Sequence, residues 1–301
     1  MIPMWRFAKV LKKGPFFFVA RACKRRLADA YDMPRYHIMR RIAPRRFHAF
    51  CIGEMKTGTN SIAGLLEAYR SRHEPWRYDL MHWIVRTETG SVNERQIARH
   101  FAYRDRKLYL EMESSHLLSH FLPTLVRLFP SARFILTVRD CYSWLNSVIN
   151  QELNVTLSSP GKYPEWEKIM YVYFRSPAPS YPTEERVLVE RGLSSLRNYW
   201  VRWSRSIRHA LATVPADRLL TVRTHEIARD SEQIAQFLGV PPAALIVENS
   251  HLNRKKRDHQ VLKQILPTHL DAVAGEHCGD LMRRFFPEIR GARDALGDLW
   301  P

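Results

Sequence analysis

The chain has 301 residues, a hydrophobic fraction of 45% and eight tryptophans, which excludes a globally disordered polypeptide and is enough for one large α/β domain or two small ones. Lys and Arg number 47 against 30 Asp and Glu, giving a net charge of +17 and a pI near 10, so polyanions are attracted: nucleic acid, anionic lipid headgroups or an acidic nucleotide. The four cysteines, Cys23, Cys51, Cys141 and Cys278, are widely spaced with no C-x-x-C, which points away from a disulfide framework or a zinc site and fits a reducing compartment.

Residues 1–46 read as a basic N-terminal arm. Its apolar run, Gly14 to Arg21, is too short to span a bilayer, and Lys24, Arg25 and Arg26 follow it with no clear cleavage site. The first reading is a helical arm packed on the domain. Trp5, Phe7, Val10 and Leu11 beside Lys9, Lys12 and Lys13 also suit peripheral contact with an anionic membrane. The expected location is therefore cytoplasmic, and membrane association through the arm stays open as the alternative to a packed arm.

Residues 47–301 read as a single α/β domain. The apolar stretch Phe47–Gly53 is a buried strand, and a polar loop with Lys56 between Gly53 and Gly58 follows it. Asn60 and Ser61 then open a helix to about residue 70, with Ile62, Leu65, Leu66 and Tyr69 at helical spacing. Strand, loop and helix start make an anion cradle, because free N–H groups and a lysine face the same place. A Walker A loop has its lysine directly after the second glycine. Here Lys56 precedes Gly58 by two positions, so a nucleoside triphosphatase loses its key residue.

Helices are expected over 76–87 and 92–104, the second opened by a capping box at Ser91-Val-Asn-Glu94. Lys107–Met112 reads as a strand. A helix through Leu117, Phe121, Leu125 and Leu128 ends near Pro130, and Arg133–Val138 is the clearest buried strand. Arg139 emerges at its carboxyl edge, and Ser147 lies eight residues on, in the helix through Trp144 and Val148. An arginine fork with a serine hydroxyl suits a phosphate.

Residues 151–182 carry five prolines, with Tyr163, Trp166, Tyr171, Tyr173 and Phe174, and read as a substrate lid. One long helix is expected over 184–213, a strand over Asp217–Arg223, and a helix over 231–238 between Asp230 and Gly239. Ser250–His259 then gathers four cations without a core residue. Alternating strands and helices imply a mainly parallel central sheet flanked by helices, with ligands beyond the carboxyl ends of the strands.

These three basic elements, in this order and separation, resemble the P-loop sulfotransferases that use 3′-phosphoadenosine 5′-phosphosulfate (PAPS), over roughly residues 47–260. The likeness is to the bacterial and Golgi-type branch with K-T-G-T. The resemblance implies that Lys56, Thr57, Gly58, Thr59 and Asn60 cradle the 5′ end, and that Arg139 and Ser147 take the 3′-phosphate. It implies a closing basic loop with Asn253, Arg254, Lys255 and Arg257 as contacts, although the family's R-K-G-x-x-G-x-W version is absent. The implied activity is sulfuryl transfer from PAPS to a hydroxyl or amine of a glycan or small-molecule acceptor. No metal is expected, since no metal-ligand spacing is present.

Lys56 would stabilise charge on the leaving bisphosphate, and the acceptor needs a general base. His116, just after a predicted strand, and Glu74, in the loop after the first helix, are equal candidates. Glu113 and His73 are weaker ones. Two alternatives remain open: a P-loop nucleotide kinase or hydrolase with magnesium-dependent turnover, and a non-catalytic basic protein that binds polyanions. No helix-turn-helix, RNA-recognition or zinc motif is present, so nucleic acid is not an expected partner.

Overall fold

The structure is a computed structural model that describes residues 40–156, 181–251 and 258–297. Two compact units are distinguished, residues 1–45 with 102–109, and residues 46–101 with 110–301. Within the described part of the first, Arg45 Nη2 pairs with Asp105 at 2.7 Å and the guanidinium lies 4.6 Å from the Tyr109 ring centre.

The second unit is built on a five-stranded sheet. Its strands are β1 (Ala49–Cys51), β2 (Ser71–His73), β3 (Met112–Ser114), β4 (Arg133–Val138) and β5 (Leu219–Arg223), in the order β2-β3-β1-β4-β5. Every pairing is parallel. Cys51 stands opposite both Ser114 and Ile135, and Ser114 stands opposite His73. The carboxyl ends of β1, β2 and β3 are therefore level, and the residues leaving them share one edge. Strand β1 has β3 on one side and β4 on the other, the reversal of winding where open parallel sheets place ligands.

Side chains alternate across the sheet. Phe50, Ile52, Phe134, Leu136 and Val138 enter one core, packed against α2 (Arg77–Glu88), α5 (Cys141–Gln151), α7 (Leu196–Thr213) and α9 (Pro267–Phe285). Ala49, Cys51 and Ile135 enter the other, packed against α1 (Thr59–Leu65) and α8 (Ser231–Leu238). Burial on that face pushes the Cys51 thiol up to about 11, which makes it an inert core residue.

Several boundaries differ from the sequence reading. The helix after the lysine loop is only seven residues long, and the polar stretch Ser71–His73 forms β2 instead of a loop. Helix α3 (Glu94–Leu108) takes the first two residues of the expected strand at 107–112, and β3 begins only at Met112. Its cap is one motif further on: Asn93 Oδ1 accepts from Gln96 N at 3.0 Å while Gln96 Oε1 accepts from Asn93 N at 2.9 Å. Asn93 and Gln96 thus form the reciprocal pair expected of Ser91 and Glu94.

The stretch through Leu117 to Leu128 is a tight 3₁₀ turn, His116–Phe121, followed by α4 (Leu122–Leu128). The expected helix over 184–213 is two, α6 (Arg186–Glu190) and α7, because the chain turns at Gly192 and Ser195 restarts it by accepting from Asn198 N. Helix α10 (Ala292–Leu296) closes the described chain. No described helix is long and apolar enough to cross a membrane.

Candidate active site

The lysine loop is held from within. Thr57 is almost fully buried, and both its N–H (3.2 Å) and its hydroxyl (2.6 Å) donate to the Glu54 carbonyl. The same hydroxyl lies 2.9 Å from Thr137 Oγ1 on β4. The Thr57 hydroxyl thus ties the loop to its own Glu54 carbonyl and to β4. Gly53 admits no side chain, since a Cβ there would meet the Thr137 carbonyl and the Thr57 hydroxyl at 2.6 Å. Gly58, at φ 99°, takes a left-handed turn that L side chains rarely adopt.

Lys56 itself is left-handed, at φ 66°, and half-buried. A non-glycine residue in that conformation is strained and needs surrounding bonds to hold it. Among the described residues no side chain caps α1, so its first-turn N–H groups point toward the cradle. The helix is too short for a large dipole. Asn60 is half-buried at this turn.

The second basic turn lies beside the first. Thr224, in the turn after β5, has its hydroxyl oxygen 2.6 Å from the Thr57 carbonyl and 2.9 Å from the Val138 carbonyl, so its one proton is shared between them. One hydroxyl thus bridges the residue after Lys56 and the residue before Arg139. Arg139 Nε donates to Ser143 Oγ at 2.9 Å, and Ser147 is half-buried one turn further along α5. Asp140 caps α5 by accepting from Ser143 N at 2.8 Å. Burial lowers the Arg139 guanidinium from its ordinary value, against the nearby Asp140 carboxylate, yet an arginine stays charged.

Glu74 and His116, read from the sequence as alternatives, form one pair. His116 Nδ1 stands 2.9 Å from Glu74 Oε1, and Arg77 Nη1 lies 3.6 Å from Glu74 Oε2. Strands β2 and β3 end level, so the residues leaving them meet. Burial alone would raise the Glu74 carboxyl. The hydrogen bond and charge of His116, with His73 and Arg77, outweigh that and hold it at about 2. An ionised carboxylate only accepts, so His116 carries a proton on Nδ1, and in its neutral form the lone pair sits on Nε2. With its carboxyl held that low, Glu74 is the accepting partner of the pair.

His73 links this pair to the loop: its Nε2 lies 3.1 Å from Thr59 Oγ1 and 3.9 Å from Glu74 Oε1. Ser114 completes the connection by donating to the Thr59 carbonyl at 2.5 Å. Glu113 is buried in β3 and points to the opposite face of the sheet from Ser114. His120, one turn beyond His116, is pushed by burial down to about 3 and stays neutral at physiological pH.

Asn253, Arg254, Lys255 and Arg257 lie outside the described residues, as do most of the expected lid at 151–182 and residues 1–39 of the arm. The chain just after the basic run is anchored on α5: His259 N donates to Asn150 Oδ1 at 2.8 Å, and Asn150 Nδ2 donates to Asp258 at 3.0 Å. Among the described residues no cluster of three or more His, Cys, Asp or Glu is placed to hold a metal ion. Two contributors were not singled out in the sequence: Ser143, signalled only by its helical spacing from Ser147, and Thr224, signalled by its position after a strand.

Residues 48–257 match the family described as the sulfotransferase domain, which is more than half of the chain. The chain belongs to the sulfotransferase family. Among solved structures, it is similar to a sulfotransferase from Alicyclobacillus acidocaldarius, at 12% identity over 79% of this chain and 95% of that one, with a TM-score of 0.45. It is also similar to sulfotransferase STF9 from Mycobacterium avium, at 14% identity over 86% of this chain and 81% of that one, with a TM-score of 0.46. Comparison with curated proteins returns no match.

Proposed function

We propose that this sulfotransferase takes its sulfuryl group from PAPS and passes it to a hydroxyl, or an amine, of a glycan or small-molecule acceptor. The observation that carries the donor assignment is the Thr224 bridge, which ties the turn bearing Lys56 to the turn bearing Arg139 through one hydroxyl. A donor with phosphates at both ends of its ribose needs two such cationic turns on one edge.

The residues present fit that donor. Lys56 and the N–H groups of Gly58, Thr59 and Asn60 would hold the 5′-phosphosulfate, with Thr57 keeping the loop closed. Arg139 and Ser147 would hold the 3′-phosphate, with Ser143 aligning the guanidinium. The donor supplies an activated sulfate and a stable bisphosphate leaving group.

The chain supplies position and charge. His116 Nε2 would accept the acceptor proton, Glu74 would keep the ring in register and stabilise the imidazolium, and Lys56 would offset charge on the departing phosphate. Hydroxyl and amine acceptors both need such a base. Aromatic residues of the expected lid suit sugar or phenol rings and motivate the acceptor class.

Thermal-shift measurements with PAPS and adenosine 3′,5′-bisphosphate, set against magnesium-ATP, test the donor. Stabilisation by the two adenosine bisphosphate compounds is expected. Stabilisation by magnesium-ATP alone would instead favour a kinase or hydrolase. Transfer of labelled sulfate from PAPS to a panel of sugars, phenols and amines tests the acceptor.

A further inference from the structure

The anion cradle contains a carboxylate. Glu54 stands two residues before Lys56, in a loop that would hold a polyanion, and an exposed acid there would repel the ligand. It is instead only 7% exposed and turned onto α7. Arg202 meets it with two bonds, Nη2 to Oε1 at 2.7 Å and Nε to Oε2 at 3.2 Å. The side chain of Arg202 is itself only 9% exposed.

We infer that Glu54 and Arg202 are positioning residues that hold the loop so that Lys56 faces the transferring group, an inference that rests on the proposed role of Lys56. The bonds converge on the residue before the lysine. Glu54 Oε1 also accepts from Met55 N at 2.8 Å, and the Trp144 indole donates to the Met55 carbonyl at 2.9 Å. The Glu54 carbonyl takes both donors of Thr57. The peptide groups on either side of the lysine are thereby fixed, and its left-handed backbone at φ 66° is the geometry they impose.

Burial would raise the Glu54 carboxyl, but the charge and hydrogen bonds of Arg202 outweigh it and hold it below the usual carboxylate range. The ion pair is thus formed and charged, and Arg202 cancels the acid that would otherwise oppose the donor. Glu152, bonded to Tyr199 Oη at 2.6 Å, adds a further carboxyl near Arg202.

The test separates positioning from simple stability. In folded Glu54→Ala, kcat at saturating PAPS is expected to fall about 10²-fold, the scale of a small misplacement of a catalytic group. Affinity for adenosine 3′,5′-bisphosphate, which lacks the sulfuryl group, is expected to change less than about threefold on the same ground. Placed in a Lys56→Ala background, and followed with radiolabelled donor, Glu54→Ala is expected to add no further loss.

Arg202→Lys keeps the charge but not the fork, and is expected to lose about tenfold in kcat as a second variant should Glu54→Ala fail to fold. Unchanged kcat in either folded variant would overturn the inference. So would a loss from Glu54→Ala that adds in full to that of Lys56→Ala. A wild-type protein that neither binds the bisphosphate nor transfers sulfate from PAPS would overturn the proposed function itself, and the inference with it.

Discussion

His116 Nδ1 lies 2.9 Å from Glu74 Oε1, although one residue follows β3 and the other follows β2. The contact joins the two candidate bases in one pair, and in the proposed function His116 is the base and Glu74 its orienter. His116→Ala is expected to lower kcat by about 10²- to 10⁴-fold, the usual worth of a positioned general base. Glu74→Gln should cost less, about tenfold, and the double variant no more than His116→Ala alone. Steady-state kinetics on the folded variants checks this. Full additivity of the two losses would show that the residues act independently.

The same pair makes stability depend on acid. The Glu74 carboxyl is held at about 2 in the folded protein, below its ordinary value of 4.5. A depressed carboxyl contributes stability that is complete above 4.5 and is lost as pH falls toward 2. The contribution is on the order of 3 kcal/mol. Urea unfolding of wild type and Glu74→Gln should show a difference that shrinks across that window. A difference that stays constant would mean that the carboxylate gains nothing from its partners.

The strands that frame the site were legible where burial writes a continuous apolar run. Arg133–Val138 is such a run, and β4 occupies those six positions. Ser71-Arg72-His73 is not, because β2 is an edge strand with exposed side chains, so its polar sequence reads as loop. That omission hid the pairing, since only the level ends of β2 and β3 bring Glu74 to His116. Helix α9 is weakly signalled for a different reason: its buried face includes the small Ala274 and Cys278, and Gly275 and Gly279, poor helix formers, lie within it. Lys56 and Arg139 could be singled out because each follows a buried strand. Arg202 was not, because its meaning depends on a loop carboxylate far away in the chain.

Gly58 tests the loop itself. A Cβ there would lie 2.7 Å from Ile227 Cδ1, at a backbone angle of φ 99°. Gly58→Ala is expected to destabilise the fold by about 1–3 kcal/mol, from strain and overlap together. Denaturant titration reads this directly, and an unchanged midpoint would mean that the turn relaxes freely.

Thr224→Val keeps the shape of the side chain and removes the hydroxyl that binds the Thr57 and Val138 carbonyls. A stability loss of about 1–3 kcal/mol is expected for carbonyls left without that donor. Affinity for adenosine 3′,5′-bisphosphate should fall as well, because the two cationic turns lose their tie. Calorimetry on the folded variant checks the second effect. Unaltered affinity would show that the turns are held together by other contacts.

The most direct measurement compares adenosine 3′,5′-bisphosphate with adenosine 5′-monophosphate, two ligands that differ only at the 3′ position. Wild-type protein is expected to bind the bisphosphate at least about tenfold more tightly, the scale of a charge-assisted hydrogen bond, and Arg139→Ala to erase most of that preference. Equal binding of the two nucleotides by the wild type, or a preference that survives Arg139→Ala, would contradict a single site that grips the donor at both ends.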